Sequence, residues 1–470
     1  MAASDAGPKP PKGASSSPRD GTRSGGGERY RPLPTGTHGL APEQVRRDQR
    51  ERLQQAMVEL IAEKGYQAVR IVDLAKLAHV SQPTFYRLFA DKDELFCSAY
   101  DEIAQRNARA VLEAYGAVEG SHEQRVRTAM RAFADLAVAE PDAVSLMVLG
   151  AFGAGTKALE HRRARLRALD DAIRTIRDGS SEGEPGDLTV MAILGGIREV
   201  AATLLREGRQ RELPGLADQL TDWALSYPPE LPPGLAVKCT PGADTRQAAA
   251  LASARARQAE GRLPSGRSEL PRQFIVKSQQ ERIVDATAAI VAEKGLSGLT
   301  IPEIVRRANI SNQTFYDIYA SKQEAYLGAL KVGLHQALSV SIAAYEAEGE
   351  HWPRAIAAGL RTILDYMHSE PAHARLTVVD AFAASPEAIA IRNEGMRAFV
   401  AYIAPGYELN PQTPPVAAEA ITGAVWQIIH HFVENDCIVE LPAAAPHIIY
   451  MVLAPFVGAE EAAREALRRR

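Results

Sequence analysis

Val80-Ser-Gln-Pro-Thr-Phe-Tyr-Arg-Leu-Phe-Ala-Asp-Lys-Asp-Glu-Leu95 returns further along the chain as Ile310-Ser-Asn-Gln-Thr-Phe-Tyr-Asp-Ile-Tyr-Ala-Ser-Lys-Gln-Glu-Ala325, offset by 230 residues. Glu63-Lys64-Gly65 and Glu293-Lys294-Gly295 keep the same offset. Between 51–100 and 281–330, 17 of 50 positions are identical without a gap. Most of the rest keep their character, as in Val80/Ile310, Leu88/Ile318 and Phe89/Tyr319. A period this long is a duplicated domain, not a solenoid unit.

Outward from the quoted stretch, the local signals are helical. Leu53, Ala56, Met57, Leu60 and Ile61 recur at three- and four-residue steps, which predicts an amphipathic helix over about 43–64 stopped by Gly65. A short helix follows at about 71–78, then a turn at His79-Val80, a second short helix from Ser81 and a longer one opening at Asp91. The second copy repeats this from about Gln279. Ser81 and Ser311 are placed as N-caps. Asp91-x-x-Glu94, Ser321-x-x-Glu324 and Thr300-x-x-Glu303 read as capping boxes, and Arg70 stands where copy two has its Thr300 cap. Two short helices joined by a tight turn, the second opening on small polar residues, form a helix-turn-helix signature. His79 and Asn309, both tolerant of positive φ, occupy the turn.

The repeat extends past this signature. Glu140-Pro141 matches Glu370-Pro371 at 230, and Glu212-Leu213-Pro214 matches Glu440-Leu441-Pro442 at 228. The intervening Ala-rich, aliphatic stretches show no strand-like alternation, so the whole chain reads as all-α. The division expected is a disordered basic arm (1–42), helix-turn-helix head one (43–105), helical body one (106–227), a Pro/Ala-rich linker (228–271), head two (272–335), body two (336–458) and a C-terminal tail (459–470).

A chain of 470 residues is too long for one core. No stretch is read as reaching the roughly 20 apolar residues that span a bilayer, and the arm lacks a signal-peptide core. Cys97, Cys239 and Cys437 are few and scattered, which reads as unpaired thiols in a reducing compartment. The net charge of −4 does not announce a nucleic-acid binder, but binding depends on where charge sits. The run His161–Arg167 reads as a solvated helix face, and adjacent His430 and His431 as packing residues. No phosphate-cradling Gly-rich loop, nucleophile elbow or zinc spacing is found, which argues against an enzyme, a cofactor and a metal site.

The two quoted segments, each preceded by its Glu-Lys-Gly helix end, resemble the TetR family of bacterial transcriptional regulators. The resemblance covers most of 43–227 and 272–458 and implies two fused subunits, each with a three-helix DNA-binding head and a helical ligand and dimerisation domain. By that resemblance the heads would read an imperfect palindrome in double-stranded DNA, and a small effector would release them. In copy one Gln82, Pro83, Thr84 and Arg87 would face bases, while Tyr86, Lys92, Arg70 and Ser81 would contact the backbone. In copy two the set is Thr300, Ser311, Asn312, Gln313, Thr314, Tyr316 and Lys322. Asp317 replaces Arg87, so the heads are not equivalent.

The reading that follows is a cytoplasmic bacterial DNA-binding regulator, a repressor relieved by a small hydrophobic ligand, paired within one chain as a pseudo-dimer with room for further homodimerisation. Candidate apolar pocket residues are Phe133, Met147 and Phe152, and Phe382, Phe399 and Trp426. The alternative is a sensing module whose second head has lost DNA binding.

Overall fold

The computed structural model describes residues 41–150, 154–155, 157–166, 188–228, 230–237, 239, 272–381 and 385–468. The described residues are helical, with no strand among them. Unit one runs α1 (Pro42–Lys64), α2 (Ile71–Leu77), α3 (Gln82–Leu88), α4 (Lys92–Gly116), α5 (His122–Ala139), α6 (Pro141–Val148), a helical stretch at 157–166, α7 (Leu188–Arg206) and α8 (Leu213–Leu225). Unit two runs α9 (Arg272–Lys294), α10 (Ile301–Ala308), α11 (Asn312–Ile318), α12 (Lys322–Ala347), α13 (Trp352–Ser369), α14 (Pro371–Arg375), α15 (Pro386–Ile403), α16 (Gly406–Leu409), α17 (Ala417–Glu434), α18 (Ala445–Val457) and α19 (Ala459–Leu467).

The head helices begin and end where the sequence signals lie. Gly65 and Gly295 take φ of 74° and 66°, a left-handed stop that glycine adopts without a Cβ penalty. His79 and Asn309 both turn at φ 52°. Ser81 and Ser311 accept from the amides of Thr84 and Thr314. The boxes close differently from the expected pattern. Asp91 and Ser321 cap the amides of Glu94 and Glu324, but those glutamates reach back one residue further, to the amides of Ala90 and Ala320. Glu303 spends its carboxylate on Lys294 and Arg306, so the Thr300 box is only half formed.

Each head has its own core, centred on Leu53, Phe85 and Phe96 in one and on Ile283, Phe315 and Tyr326 in the other. A third core runs through both bodies, joining Trp223 and Leu220 of unit one to Ile428, Phe432 and Met451 of unit two. Phe133, Met147, Phe399 and Trp426 pack half-buried against it, while Phe152 and Phe382 lie outside the described residues.

The two bodies meet along α7 and α17. A Cβ on Gly196 would sit 2.4 Å from the Ala420 carbonyl oxygen, and one on Gly423 would sit 3.0 Å from the Gly196 Cα. The contacts are reciprocal. Gly195 faces the Gln427 side chain and Gly423 faces the Glu199 side chain, and these two pairs exchange under the 228-residue offset. That exchange is the geometry of a two-fold interface. Tyr227 ties the bundle further by donating to the Met451 carbonyl at 2.7 Å.

Several expectations from the sequence are corrected here. The expected tail is helix α19, whose Ala462, Ala463 and Ala466 are buried against the second body. The start of the expected linker is also packed: Leu235 is buried in the shared core, and Cys239 forms a disulfide with Cys437 across 198 residues. That bond was invisible in the sequence because cysteine spacing carries no information about contacts made by the fold. The rest of the expected linker (240–271), and the arm up to residue 40, lie outside the described residues. Three helical segments, Leu188–Arg206, Lys322–Ala347 and Ile438–Val457, are long and apolar enough to cross a membrane. For the first and third the shared core accounts for that character, since 61% and 72% of their apolar windows are buried. Finally, the run from His161 is not a solvated face. Arg162 is half-buried, Arg163 pairs with Glu434, and His161 and Arg165 share Asp101, while Arg167 lies outside the described residues. The boundaries expected at 105/106 and 335/336 fall inside α4 and α12, unbroken helices that join each head to its body.

Because neither helix has space for a side chain at the crossing, Gly196→Leu or Gly423→Leu should lower unfolding stability by ~1–3 kcal/mol through overpacking. Gly215→Ala, in open space, should stay within about 0.5 kcal/mol. Urea unfolding of the full chain measures both.

Candidate nucleic-acid interface

The recognition helices α3 and α11 are held by an arginine that the sequence reading passed over. Arg52, buried, donates to the carbonyls of Ala78 (2.6 Å) and His79 (3.3 Å), with Asp48 beside its guanidinium. Arg282 does the same for Ala308 (3.2 Å) and Asn309 (3.1 Å). Both satisfy carbonyls freed where the first helix of the motif ends. The available signal was the Glu-Arg pair at 51–52 and 281–282, identical in both copies.

On this frame Gln82, Pro83, Tyr86 and Arg87 are exposed on α3, as are Asn312, Gln313 and Tyr316 on α11. Tyr86 and Tyr316 are 56% and 55% exposed, large for aromatic side chains. Each ring edge stacks on the buried Phe85 or Phe315 at its root, which fixes its direction. Thr84 is buried, its hydroxyl held between Ser81 and Arg87, so it braces the helix start. Thr314 is only half-buried. Ser81 and Ser311 are exposed caps.

The two lysines are partly committed. Lys92 donates to the carbonyls of Tyr66 and Val69, both at 3.0 Å, and lies over the Tyr66 ring. Burial holds its ammonium below the ordinary lysine value. Lys322 donates to the Leu299 carbonyl at 3.0 Å and remains exposed. Arg70 is exposed and paired with Asp73 at 2.9 Å. In head two, Thr300, Asn312, Tyr316 and Lys322 line one open depression, where a hydroxyl, an amide, a phenol and an ammonium converge. Such donors suit phosphate oxygens.

The heads differ where the sequence differs. Arg87 is exposed and donates to the Thr84 hydroxyl at 2.8 Å, leaving most of its guanidinium fork outward. At the matching position Asp317 instead accepts from the Gln313 amide at 2.8 Å, so a carboxylate both occupies the face and engages the exposed amide beside it.

Residues 54–99 and 283–327 each match the family model described as bacterial regulatory proteins, tetR family. The chain belongs to the TetR family. It is a DNA-binding regulator of that family with two tandem units. Among solved structures it is similar to the transcriptional regulator FadR from Bacillus subtilis in complex with stearoyl-CoA (20% identity, 37% of this chain and 97% of that one, TM-score 0.33). It is also similar to the fatty acid degradation regulator FadR from Bacillus halodurans (19%, 37% and 97%, TM-score 0.33). A TetR family regulator from Marinobacter aquaeolei VT8 matches at 16% identity, over 38% of this chain and 97% of that one, with a TM-score of 0.30. No curated protein matches the chain.

In this TetR-family chain, Asp317→Arg should release Gln313 and add a cation at the groove. The expected outcome is tighter DNA binding through head two, with a salt dependence steeper by about one counterion. A titration of fluorescent duplex at several salt concentrations reads both.

Proposed function

We propose that the chain is a single-chain repressor in which the two units pair with each other and present two non-equivalent heads to one operator. The observation that carries this reading is the reciprocal glycine crossing of α7 on α17, which joins the bodies into one core. The heads at 43–105 and 272–335 read DNA, and the bodies that follow them pair and sense. In head one Gln82, Pro83 and Arg87 face the bases, with Arg70, Ser81, Tyr86 and Lys92 on phosphates. In head two Asn312, Gln313 and Thr314 face the bases, with Thr300, Ser311, Tyr316 and Lys322 on the backbone. The operator is then an imperfect palindrome with half-sites about 34–36 Å apart. A small hydrophobic molecule in the helical bodies relieves repression by moving the heads apart, and the protein works in the bacterial cytoplasm without catalysis.

A second reading has its own support. The Asp317–Gln313 bond makes head two the poorer DNA partner, so that unit would serve pairing and sensing while head one alone holds DNA.

Footprinting on the DNA upstream of the protein's own gene separates the two. If Tyr86→Ala and Tyr316→Ala each lose protection of a different half-site, both heads read DNA. Loss with Tyr86→Ala only assigns DNA binding to head one. A wild-type isotherm that does not respond to salt would remove the DNA-binding assignment from both, because phosphate contacts release counterions.

A further inference from the structure

The turn that follows α17 has changed its chemistry between the copies. Under the 228 offset Cys437 and Glu440 are the counterparts of Arg209 and Glu212. In unit one Arg209 donates to both Glu212 oxygens, each at 2.8 Å. In unit two a cysteine stands in the place of that arginine, and Cys239 meets it from 198 residues away. The counterpart of Cys239 is Leu467, so both cysteines depart from the duplicated pattern.

Local structure places a third group beside them. Cys437 caps the 3-10 turn Ile438–Ala444, and its carbonyl accepts from the Glu440 amide at 2.9 Å. Residues three apart eclipse in such a turn, which sets Glu440 beside the Cys437 side chain. The two sulfurs and a Glu440 oxygen lie within 4.8 Å of one another. Cys437 is buried, while Cys239 and Glu440 are half-buried, so the group is reached from solvent on their side. Two thiolates and a carboxylate are a donor set that suits zinc. Around one tetrahedral zinc such donors stand about 3.6–3.8 Å apart, a spacing that fits within this group. A carboxylate has two oxygens, so ligation through one leaves the other for neighbouring contacts.

We propose that Cys239, Cys437 and Glu440 bind one zinc ion when the cysteines are reduced, with water in the fourth position, and that the disulfide is the oxidised, metal-free state of the same site. The ion supplies at this turn the positive charge that Arg209 supplies in unit one. On oxidation by a peroxide, the two thiolates give up two electrons and form the S–S bond. The peroxide takes those electrons with two protons to become two waters, and the zinc ion leaves. In either state the stretch after α8 stays clasped to the end of the seam helix α17. The reducing surroundings belong to the cytoplasmic reading above, whereas the donor set does not depend on it.

The test uses the full chain without DNA, so its failure leaves the footprinting result untouched. Reduced protein, freed of reductant under inert gas, is titrated with zinc against a chromogenic chelator. One zinc per chain is expected, and cobalt in its place should show thiolate-to-metal charge transfer and tetrahedral visible bands. Cys239→Ser and Cys437→Ser should each lose the site. Glu440→Gln should weaken it by about tenfold or more, since even groups outside the ligand shell are worth that much. Cys97→Ser should change nothing. Peroxide added to the zinc form should release the ion and leave a chain lighter by two hydrogen atoms. Cys239 is half-buried, so its serine variant carries the test if circular dichroism shows that Cys437→Ser does not fold. A reduced chain that takes up no zinc overturns the proposal. So does zinc held as tightly by Cys239→Ser or Glu440→Gln, or a site lost with Cys97→Ser.

Discussion

At Gly196 the backbone of α7 comes so near the Ala420 carbonyl of α17 that no side chain fits between them. The rest of the molecule is arranged around that approach. With Gly195 and Gly423 in reciprocal places, the two helices bury their apolar faces against each other and against α8 and α18. Two bodies become one core, and each head is joined to it by an unbroken helix, α4 or α12. A second covalent tie, Cys239–Cys437, holds the stretch after α8 to the second body, so the units are joined before the connecting segment begins.

The heads show how a duplicated motif keeps its frame and loses its symmetry. Everything that positions the recognition helix is doubled: the serine caps, the left-handed turn, the buried Phe85 and Phe315, and Arg52 and Arg282 holding the turn carbonyls. Buried positions have diverged too, Met57 against Thr287 and Leu95 against Ala325 among them, but on the outer face substitution costs no packing. Arg87 against Asp317 is the sharpest case, since it reverses charge and draws Gln313 into a local bond. The seam has diverged as well, with Glu199 against Gln427 and Trp426 against Arg198.

Much of the head was legible because its signals are local. Glycine stops, hydroxyl caps, positive-φ turn residues and three- and four-residue apolar steps act within one or two turns of helix, so they can be read without knowing what packs where. The burial of Thr84 could not be read from the sequence, because whether a residue on a short helix faces out depends on how that helix sits on its neighbours. The roles of Lys92 and Arg52 were hidden for the same reason, since their acceptors lie 23 to 27 residues away in sequence. The apolar helices α7 and α18 looked unremarkable as a chain and are core by tertiary contact.

The sequence by itself determined that the chain is a doubled all-helical protein with two helix-turn-helix heads, because identity at fixed offset and local capping need no long-range information. The tertiary structure decided how the copies meet, which side chains on each head stay exposed and which cysteines bond. Each of these depends on contacts between residues about 20 to more than 200 positions apart, and a helix carries no record of which partner will bury its face.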